Sequence, residues 1–351
     1  MMKRRIIIAG EFWFGSTGAG MAHGLRQQGH IVSEVDMRHH FPVSLNPLSK
    51  LAFKISSGQF IASYKQHIRD IVRQGGGDIL LTIKGSFLDH SFLSDMRKMG
   101  LFIVNFYPDV AFDHPGLSAD WLSHYDLIAT TKSFHINHLT AAHGADKVAF
   151  LPHGYSTLAH RPRAMPADDA PFDYDIAYVG NASAHKAQTL TPIAAAFPHK
   201  RFLLAGAGWE QYAQGTALQS CIKLGQVIGD NYARKIERSR INLAVHFGPA
   251  GRQGWEDLVS TRSFEIPACG GFMLHVDNEE IRTLFNAGTE IELFSNSAEA
   301  IAKIEYYLAH PDQRIAIAQN GYRRCVPAYS LDARAVELMA LIEQRIKMRR
   351  L

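Results

Sequence analysis

Short apolar runs alternate with amphipathic stretches along nearly the whole chain, and this alternation narrows the fold more than any other feature. Arg5-Ile6-Ile7-Ile8-Ala9-Gly10 comes first, a helical pattern over 16–28 follows, and a second run covers 30–35. A further helical pattern, with Ile61, Tyr64, Ile68, Ile71 and Val72 on one face, stops at Gly75-Gly76-Gly77 before the run 78–83. Runs at 101–106, 126–130 and 147–151 are separated by helical segments near 91–99 and 135–143. Apolar runs too short for helices, alternating with helical periods, predict parallel strands covered on both faces.

Between Pro152 and Pro171 the period is lost among Pro152, Pro162, Pro166, Pro171 and scattered charge, which reads as a linker. The alternation restarts with runs at 175–180, 201–206, 241–245, 271–276 and 289–294, predicting a second parallel sheet. From Ser297 the chain reads as helical to its end, broken at Pro311, Gly321 and Pro327, with Ala335, Leu338, Met339 and Ile342 as the apolar stripe of the last helix. A chain of 351 residues suits two domains. Their expected bounds are 1–155 and 173–328, with a linker over 156–172 and a terminal helix over 329–351. Two such doubly wound sheets facing a cleft hold ligands outside the carboxyl ends of their strands.

Composition excludes several classes. With 46% hydrophobic and 20% charged residues the chain is neither disordered nor fibrous. A net charge of +4 gives no strong field toward nucleic acid, so none is expected as a partner. The first apolar run stops at Glu11, too early for a signal peptide, and no stretch has membrane-spanning length. The basic tail Arg345, Lys347, Arg349 and Arg350 is either a solvated helix end or a weak membrane-surface contact, each cation adding about 1 kcal/mol near an anionic surface. Cys221, Cys269 and Cys325 are too few and too far apart for a disulfide framework or a zinc site, which fits a reducing cytoplasm. His135 and His138 share a helical face but lack a third ligand at a helical spacing, and Asp173-Tyr174-Asp175 precedes its strand; neither metal nor cofactor is expected.

Candidate site residues follow strands. After the first strand, Gly15, Ser16, Gly18 and Gly20 open a helix whose N–H groups suit an anion. The spacing Gly18-x-Gly20-x3-Gly24, with Asp36 ending the next strand, also admits a dinucleotide fingerprint, although residues 11–17 intervene; a third reading is a tight turn and close helix packing. In the second half Gly180, Asn181, Ala182 and Ser183 form a turn suited to a diphosphate, and Lys186 either neutralises a departing phosphate or is solvated. His246, just past the run 241–245, joins this substrate-binding set. Glu265 is a carboxylate on an otherwise apolar helical turn; one carboxylate accepts a hydrogen bond from each hydroxyl of a ribose. Thr261 or Ser260 is expected to cap that helix, and Arg262 in its first turn, where cations are disfavoured, hints at an anionic partner. Tyr174, Trp209, Tyr232 and Trp255 are candidates for stacking on a base or sugar, or for the core.

The run Glu265-Ile266-Pro267-Ala268-Cys269-Gly270-Gly271-Phe272 resembles the Glu-Ala-x-Ala-Cys-Gly segment of GT-B glycosyltransferases. The wider stretch 261–324, with Leu308-Ala309-His310-Pro311 and Gly321-Tyr322-Arg323-Arg324, is similar to the CgeB-like (spore maturation protein) glycosyltransferase group. Leu151-Pro152-His153-Gly154-Tyr155 resembles the Pro-x-Gly segment that enters the nucleotide domain of such enzymes. The resemblance implies an α/β fold of GT-B type, a ribose contact at Glu265, and a last helix that crosses back to the first domain. It implies a cytoplasmic enzyme that moves a sugar from a nucleotide-sugar donor to an unidentified acceptor without a metal. A nucleotide-sugar epimerase of the same fold, an NAD(P)-dependent dehydrogenase and a non-catalytic nucleotide-sugar-binding protein remain open. Two departures stand out: Asp257 occupies the position of the earlier of two glutamates in retaining members, and Pro267 sits in the helix.

Such a transfer needs a base for the acceptor if it inverts. Asp109, Asp113 and His114 follow the run 101–106; Asp109 is the first choice, with Glu11 and His23 as rivals near the first loop. Asp109 otherwise reads as a turn cap before Pro115.

Overall fold

The structure is a computed structural model that describes residues 2–41, 47–112, 116–162, 172–250 and 253–350. The chain divides into two units, residues 1–152 with 331–351, and residues 153–330.

In the first unit β1 (Arg5–Gly10), β2 (Ile31–Asp36), β3 (Ile79–Ile83), β4 (Phe102–Tyr107), β5 (Leu127–Thr130) and β6 (Val148–Phe150) form one parallel sheet in the order β2-β1-β3-β4-β5-β6. Helices α1 (Thr17–Gln27), α2 (Pro47–Arg73), α3 (His90–Lys98) and α4 (His135–His143) supply crossovers. Ile6, Ile7, Ile8, Leu80 and Ile103 are fully buried, so successive residues on opposite faces are both covered; this is why the strands read as continuous apolar runs. The chain leaves β1 for β2 on one side and returns to β3 on the other. The ends of β1 and β3 therefore flank the crevice where such folds bind ligands.

The second unit repeats the plan. Strands β7 (Tyr174–Val179), β8 (Phe202–Ala205), β9 (Ile222–Leu224), β10 (Ser239–Ala244), β11 (Met273–Val276) and β12 (Glu292–Phe294) run parallel in the order β12-β11-β10-β7-β8-β9. They are joined through α5 (Ala184–Ala196), α6 (Trp209–Ala213), α7 (Gly229–Glu237), α8 (Arg262–Ala268) and α9 (Glu279–Leu284), and α10 (Ser297–Ala309) and α11 (Pro311–Cys325) follow the sheet. Here the order reverses between β7 and β10.

Three local expectations are corrected. β9 was not foreseen: it is three residues at a sheet edge, half exposed, with Lys223 turned to the carbonyls of Leu218, Gln219 and Cys221, so no apolar run marks it. Gly321 does not break the helix but lies inside α11, where a Cβ would stand 2.4 Å from the Glu290 carbonyl oxygen. Residues 153–162, partly assigned to a linker, pack in the second unit: Tyr155 N–H donates to Tyr329 O (3.1 Å), and Tyr155 bridges to Ser330. Of that linker, residues 163–171 lie outside the described residues.

The last helix, α12 (Leu331–Arg350), belongs to the first unit, where Leu331, Ala335, Leu338, Met339 and Ile342 join a core with Ile6, Ile8 and Leu25. It packs on α1 because Gly20 and Gly24 present no side chain. A Cβ at 20 would lie 2.3 Å from Leu331 Cδ1, and one at 24 would lie 2.7 Å from the Asp332 Cα. No helix among the described residues is long and apolar enough to cross a membrane.

Candidate functional site

In the second unit the ends of β7 and β10 are joined by one side chain. Arg262, first residue of α8, donates from Nε to Val179 O (2.8 Å) and from Nη1 to Val245 O (3.2 Å), with its guanidinium 5.0 Å from the Tyr178 ring centre. Lys186, in the first turn of α5, stands over the same ring at 5.9 Å and over Phe247 at 3.4 Å. Its Nζ donates to Asn181 O (2.9 Å), in the turn that leaves β7. Lys186 is only 1% exposed, and burial, reinforced by the charge of Arg262, lowers its pKa to about 7. Neither cation forms an ion pair among the described residues; the carboxylate whose charge acts on both is Asp257. Two cations on one ring, neither in an ion pair among the described residues, make the ends of β7 and β10 electropositive.

The turn between β7 and α5 is rigid. Gly180 O accepts from Trp209 Nε1 (2.9 Å), Asn181 Oδ1 accepts from Ala207 N–H (3.1 Å), and Ser183 caps α5 by accepting from Lys186 N–H (3.3 Å). Trp209 is thereby a core residue, buried edge-on to Tyr178, and no stacking platform.

Glu265 lies one turn along α8 from Arg262. Its Oε1 is 3.8 Å from Nε2 of His160, and its charge lies beside the buried Tyr232 hydroxyl, whose pKa burial and this carboxylate push upward. Ser156 N–H donates to His160 Nδ1 (3.1 Å), so the neutral ring carries its proton on Nε2, facing the carboxylate. His160 sits in the irregular segment after β6, where sequence gives no period to place it. The expected caps do not form: Thr261 is itself helical, so its hydroxyl makes no capping bond, and Ser260 Oγ accepts from Arg262 Nη1 (3.4 Å) instead.

His246 follows β10, but its Nε2 is turned inward, 2.9 Å from Nε2 of His275. His275 donates from Nδ1 to Val276 O (2.6 Å), so its Nε2 accepts, both from His246 and from Ser263 Oγ (2.9 Å). Burial lowers the His275 pKa to about 4, keeping the ring neutral. The Nε2 edge of His246 is thus a structural group.

The first unit holds a cavity of about 350 Å³ at the ends of β1, β3 and β4. Glu11 and Ser16 line it from the β1–α1 loop, Gly18 from the first turn of α1, and Lys84 and Asp109 from the ends of β3 and β4. Gly15 has a φ of +90°, Ser16 caps α1 by accepting from Ala19 N–H (3.2 Å), and a Cβ on Gly18 would stand 2.7 Å from Glu11 O. The glycines thus serve close packing. The dinucleotide reading also fails at Asp36, whose carboxylate is taken by Arg38 through Nε (3.1 Å) and Nη2 (2.6 Å). Asp109 pairs with Lys84 at 2.5 Å, a partner not foreseen. The strand-end rule that singled out Asp109 applies equally to Lys84. Glu11 is half-buried, and burial raises its pKa against the charges of Lys84 and Arg38. His23 pairs with Asp332 of α12 (2.8 Å) and does not line the cavity. Asp113 and His114 lie outside the described residues.

Other candidates have local partners. His135 is buried between Thr130 Oγ1 and Val110 O, and Asp173 pairs with Arg238. Among the described residues no group of three or more His, Cys, Asp or Glu is arranged to hold a metal. In the basic tail Arg345 donates to Asp146 O and Arg349 pairs with Asp126, so both are engaged within their own unit.

Two doubly wound parallel sheets, each with a polar site where its strand order reverses, define a protein of GT-B architecture. Solved structures agree on that fold. Sucrose-phosphate synthase from Thermosynechococcus elongatus superposes with a TM-score of 0.67 at 14% identity, covering 98% of this chain and 100% of that one. A glycosyltransferase from Rickettsia africae gives 0.63 at 13%, covering 99% and 100%. Anabaena HepE in complex with UDP-glucose gives 0.61 at 14%, covering 97% and 99%. No curated protein matches the chain in sequence. Residues 186–340 match the family described as glycosyl transferase-like, a span that includes Lys186, Arg262 and Glu265. Residues 186–340 are thus those of a glycosyl transferase-like domain, in a chain that has the GT-B fold.

Proposed function

We propose that this chain transfers a glycosyl group from a nucleoside-diphosphate sugar to an acceptor hydroxyl, with the donor held by the second unit and the acceptor by the first. The observation that carries the donor reading is the Lys186–Arg262 pair on Tyr178, two cations with no paired carboxylate among the described residues. In this reading they neutralise charge on the diphosphate as it leaves, a role that needs no metal. The N–H groups that open α5, ahead of the Lys186 N–H that Ser183 caps, add to the same pole. Glu265 accepts from the ribose hydroxyls. The similarity of residues 261–324 to the CgeB-like group supports the same assignment, and three buried cysteines that form no disulfide among the described residues suit a reducing cytoplasm.

UDP is the first nucleotide to try, since HepE is a similar fold solved with it. A thermal-shift series with UDP, GDP, ADP, dTDP, CMP and NAD, in the presence of EDTA, tests the reading on the wild type and on Arg262→Ala. A ligand at a hundred times its Kd adds about 2.7 kcal/mol of stability. One nucleoside diphosphate should stabilise the wild type and lose most of that effect in the variant. Stabilisation by NAD alone, or an unchanged gain in Arg262→Ala, would sink it.

A further inference from the structure

The geometry points to a neutral, hydroxyl-rich saccharide as the acceptor of the first-unit cavity, oriented by the Lys84–Asp109 pair and deprotonated by Glu11. This inference rests on the transferase reading for its chemistry, but its binding step does not.

Lys84 is the feature that sequence did not mark. It ends β3 with a φ of +69°, left-handed backbone that a non-glycine residue adopts at a cost. Both sides of its peptide are pinned to β4: its N–H donates to Phe106 O (2.9 Å), and its carbonyl accepts from Asn105 Nδ2 (3.0 Å). The strained turn directs Lys84 into the cavity, where its ammonium meets Asp109 at 2.5 Å. Glycine would adopt this backbone without strain, so the lysine is there for its side chain.

The cavity lining carries both acceptors and donors. Glu11 and Asp109 are carboxylates, while Lys84, Thr17 and Ser86 carry donors; the Ser16 hydroxyl is spent on Glu11 O. A hydroxyl is both donor and acceptor, and a ring bearing several satisfies such a lining without bringing charge. A phosphorylated or carboxylated acceptor would face two carboxylates against one ammonium. Trp13 and Tyr64 add aromatic surface for the apolar face of a sugar ring. At about 350 Å³ the cavity lies at the small end of ligand pockets, which suits one compact sugar unit.

The two carboxylates are not equivalent. Asp109 is held by its ion pair with Lys84, so it serves as a positioned hydrogen-bond acceptor for a substrate hydroxyl. Glu11 has no such ion pair among the described residues and is half-buried; burial raises its pKa, which improves a base. As the acceptor oxygen bonds to the anomeric carbon, the bond from that carbon to the phosphate oxygen breaks. The nucleoside diphosphate leaves with the electron pair, and the acceptor proton passes to Glu11. A single displacement of this kind inverts the anomeric configuration.

Two experiments test this separately from the donor. Methyl glycosides of glucose, galactose, mannose and N-acetylglucosamine are titrated by calorimetry against the wild type and Lys84→Gly, beside glucose 6-phosphate and glucuronate. At least one neutral glycoside should bind more tightly than both anions, and Lys84→Gly, folded and at least as heat-stable, should bind it about tenfold more weakly. Binding of the anions as tight as of the glycosides, no glycoside binding, or full affinity in Lys84→Gly overturns the acceptor class. Transfer is then followed with the sugar of whichever nucleoside diphosphate stabilises the protein. Glu11→Gln should keep glycoside affinity and lose at least about 100-fold in kcat, with a product of inverted configuration. Unchanged kcat or a retained configuration removes Glu11 as the base. If no nucleotide binds, the donor reading has failed, while the glycoside titration still decides the cavity.

Discussion

Arg262 occupies the space that a side chain on Gly180 would need: a Cβ built there lies 2.2 Å from Arg262 Nη2. The glycine after β7 is therefore fixed by an arginine 82 positions later (262 − 180) rather than by the turn alone. Gly180→Ala must push the guanidinium away from Val179 O and Val245 O, whereas the sheet beneath it is untouched. Overpacking of this kind costs about 1–3 kcal/mol. Nucleotide affinity should fall by about tenfold or more, roughly 1.4 kcal/mol. Isothermal titration with the stabilising nucleotide checks this; an unaltered Kd would mean that Arg262 does not reach the ligand.

Lys186 sets a pH dependence whose sign follows from burial. Its pKa is lowered to about 7, whereas an unfolded lysine titrates near 10.4. Between these values the unfolded chain binds the extra proton, so unfolding becomes less favourable as pH rises. Wild type should gain stability relative to Lys186→Met from about pH 7 to about pH 9, by about 1 kcal/mol per pH unit. Nucleotide affinity should move oppositely, weakening over that window as the cation is lost. Urea titrations of both proteins at several pH values, with nucleotide titrations alongside, measure the two slopes. Parallel stability curves would show that the lysine stays charged.

Much of this was legible because parallel strands buried on both faces leave continuous apolar runs, as Ile6-Ile7-Ile8 and Ile79-Leu80-Leu81 do. Lys186 and Arg262 were also legible: each is a cation in the first turn of a helix, where the helix field disfavours it, and the structure brings both to one ring. What was hidden depended on backbone conformation or on distant partners. A left-handed φ at Lys84 has no signature in residue type, since the torsion is imposed by Phe106 and Asn105 on the neighbouring strand. His160 lies in a stretch without period, and only folding carries it to Glu265. The glycines of α1 carry two meanings in sequence. Leu331 and Asp332, far along the chain, select the packing one.

Glu265 should read the sugar of the nucleotide. A carboxylate that accepts from both ribose hydroxyls loses its partners when they are absent, so the substitution and the deletion of the hydroxyls should not add. In a double cycle of wild type and Glu265→Gln with UDP and 2′,3′-dideoxy-UDP, the coupling should be about 1.5–3 kcal/mol. His160→Ala, which removes the N–H facing Oε1, should give a smaller loss with UDP and none with the dideoxy analogue. Additive effects would leave Glu265 as a structural carboxylate.

Asp126 anchors the end of the chain. Its side chain is fully buried at the start of β5 and accepts from Ile103 N–H (2.8 Å) and Arg97 Nη2 (2.8 Å), while Arg349 of α12 pairs with the same carboxylate. Removing it strands a buried N–H and takes from two partly exposed guanidinium groups the carboxylate they share, with no other paired to either among the described residues. Asp126→Ala should therefore destabilise the protein by about 1–3 kcal/mol, chiefly the cost of leaving the buried Ile103 N–H unsatisfied, since Arg97 and Arg349 both reach water. Arg349→Ala leaves Arg97 in place and should cost less, about 1 kcal/mol, because Arg349 is half exposed. Denaturant midpoints for the two variants give the ordering. The same variants bear on the basic tail: if Arg349 is held by Asp126, Asp126→Ala frees a cation, and sedimentation with anionic phosphatidylserine vesicles should increase in that variant over the wild type. Equal sedimentation would mean that the released arginine does not add to the tail's attraction for an anionic surface.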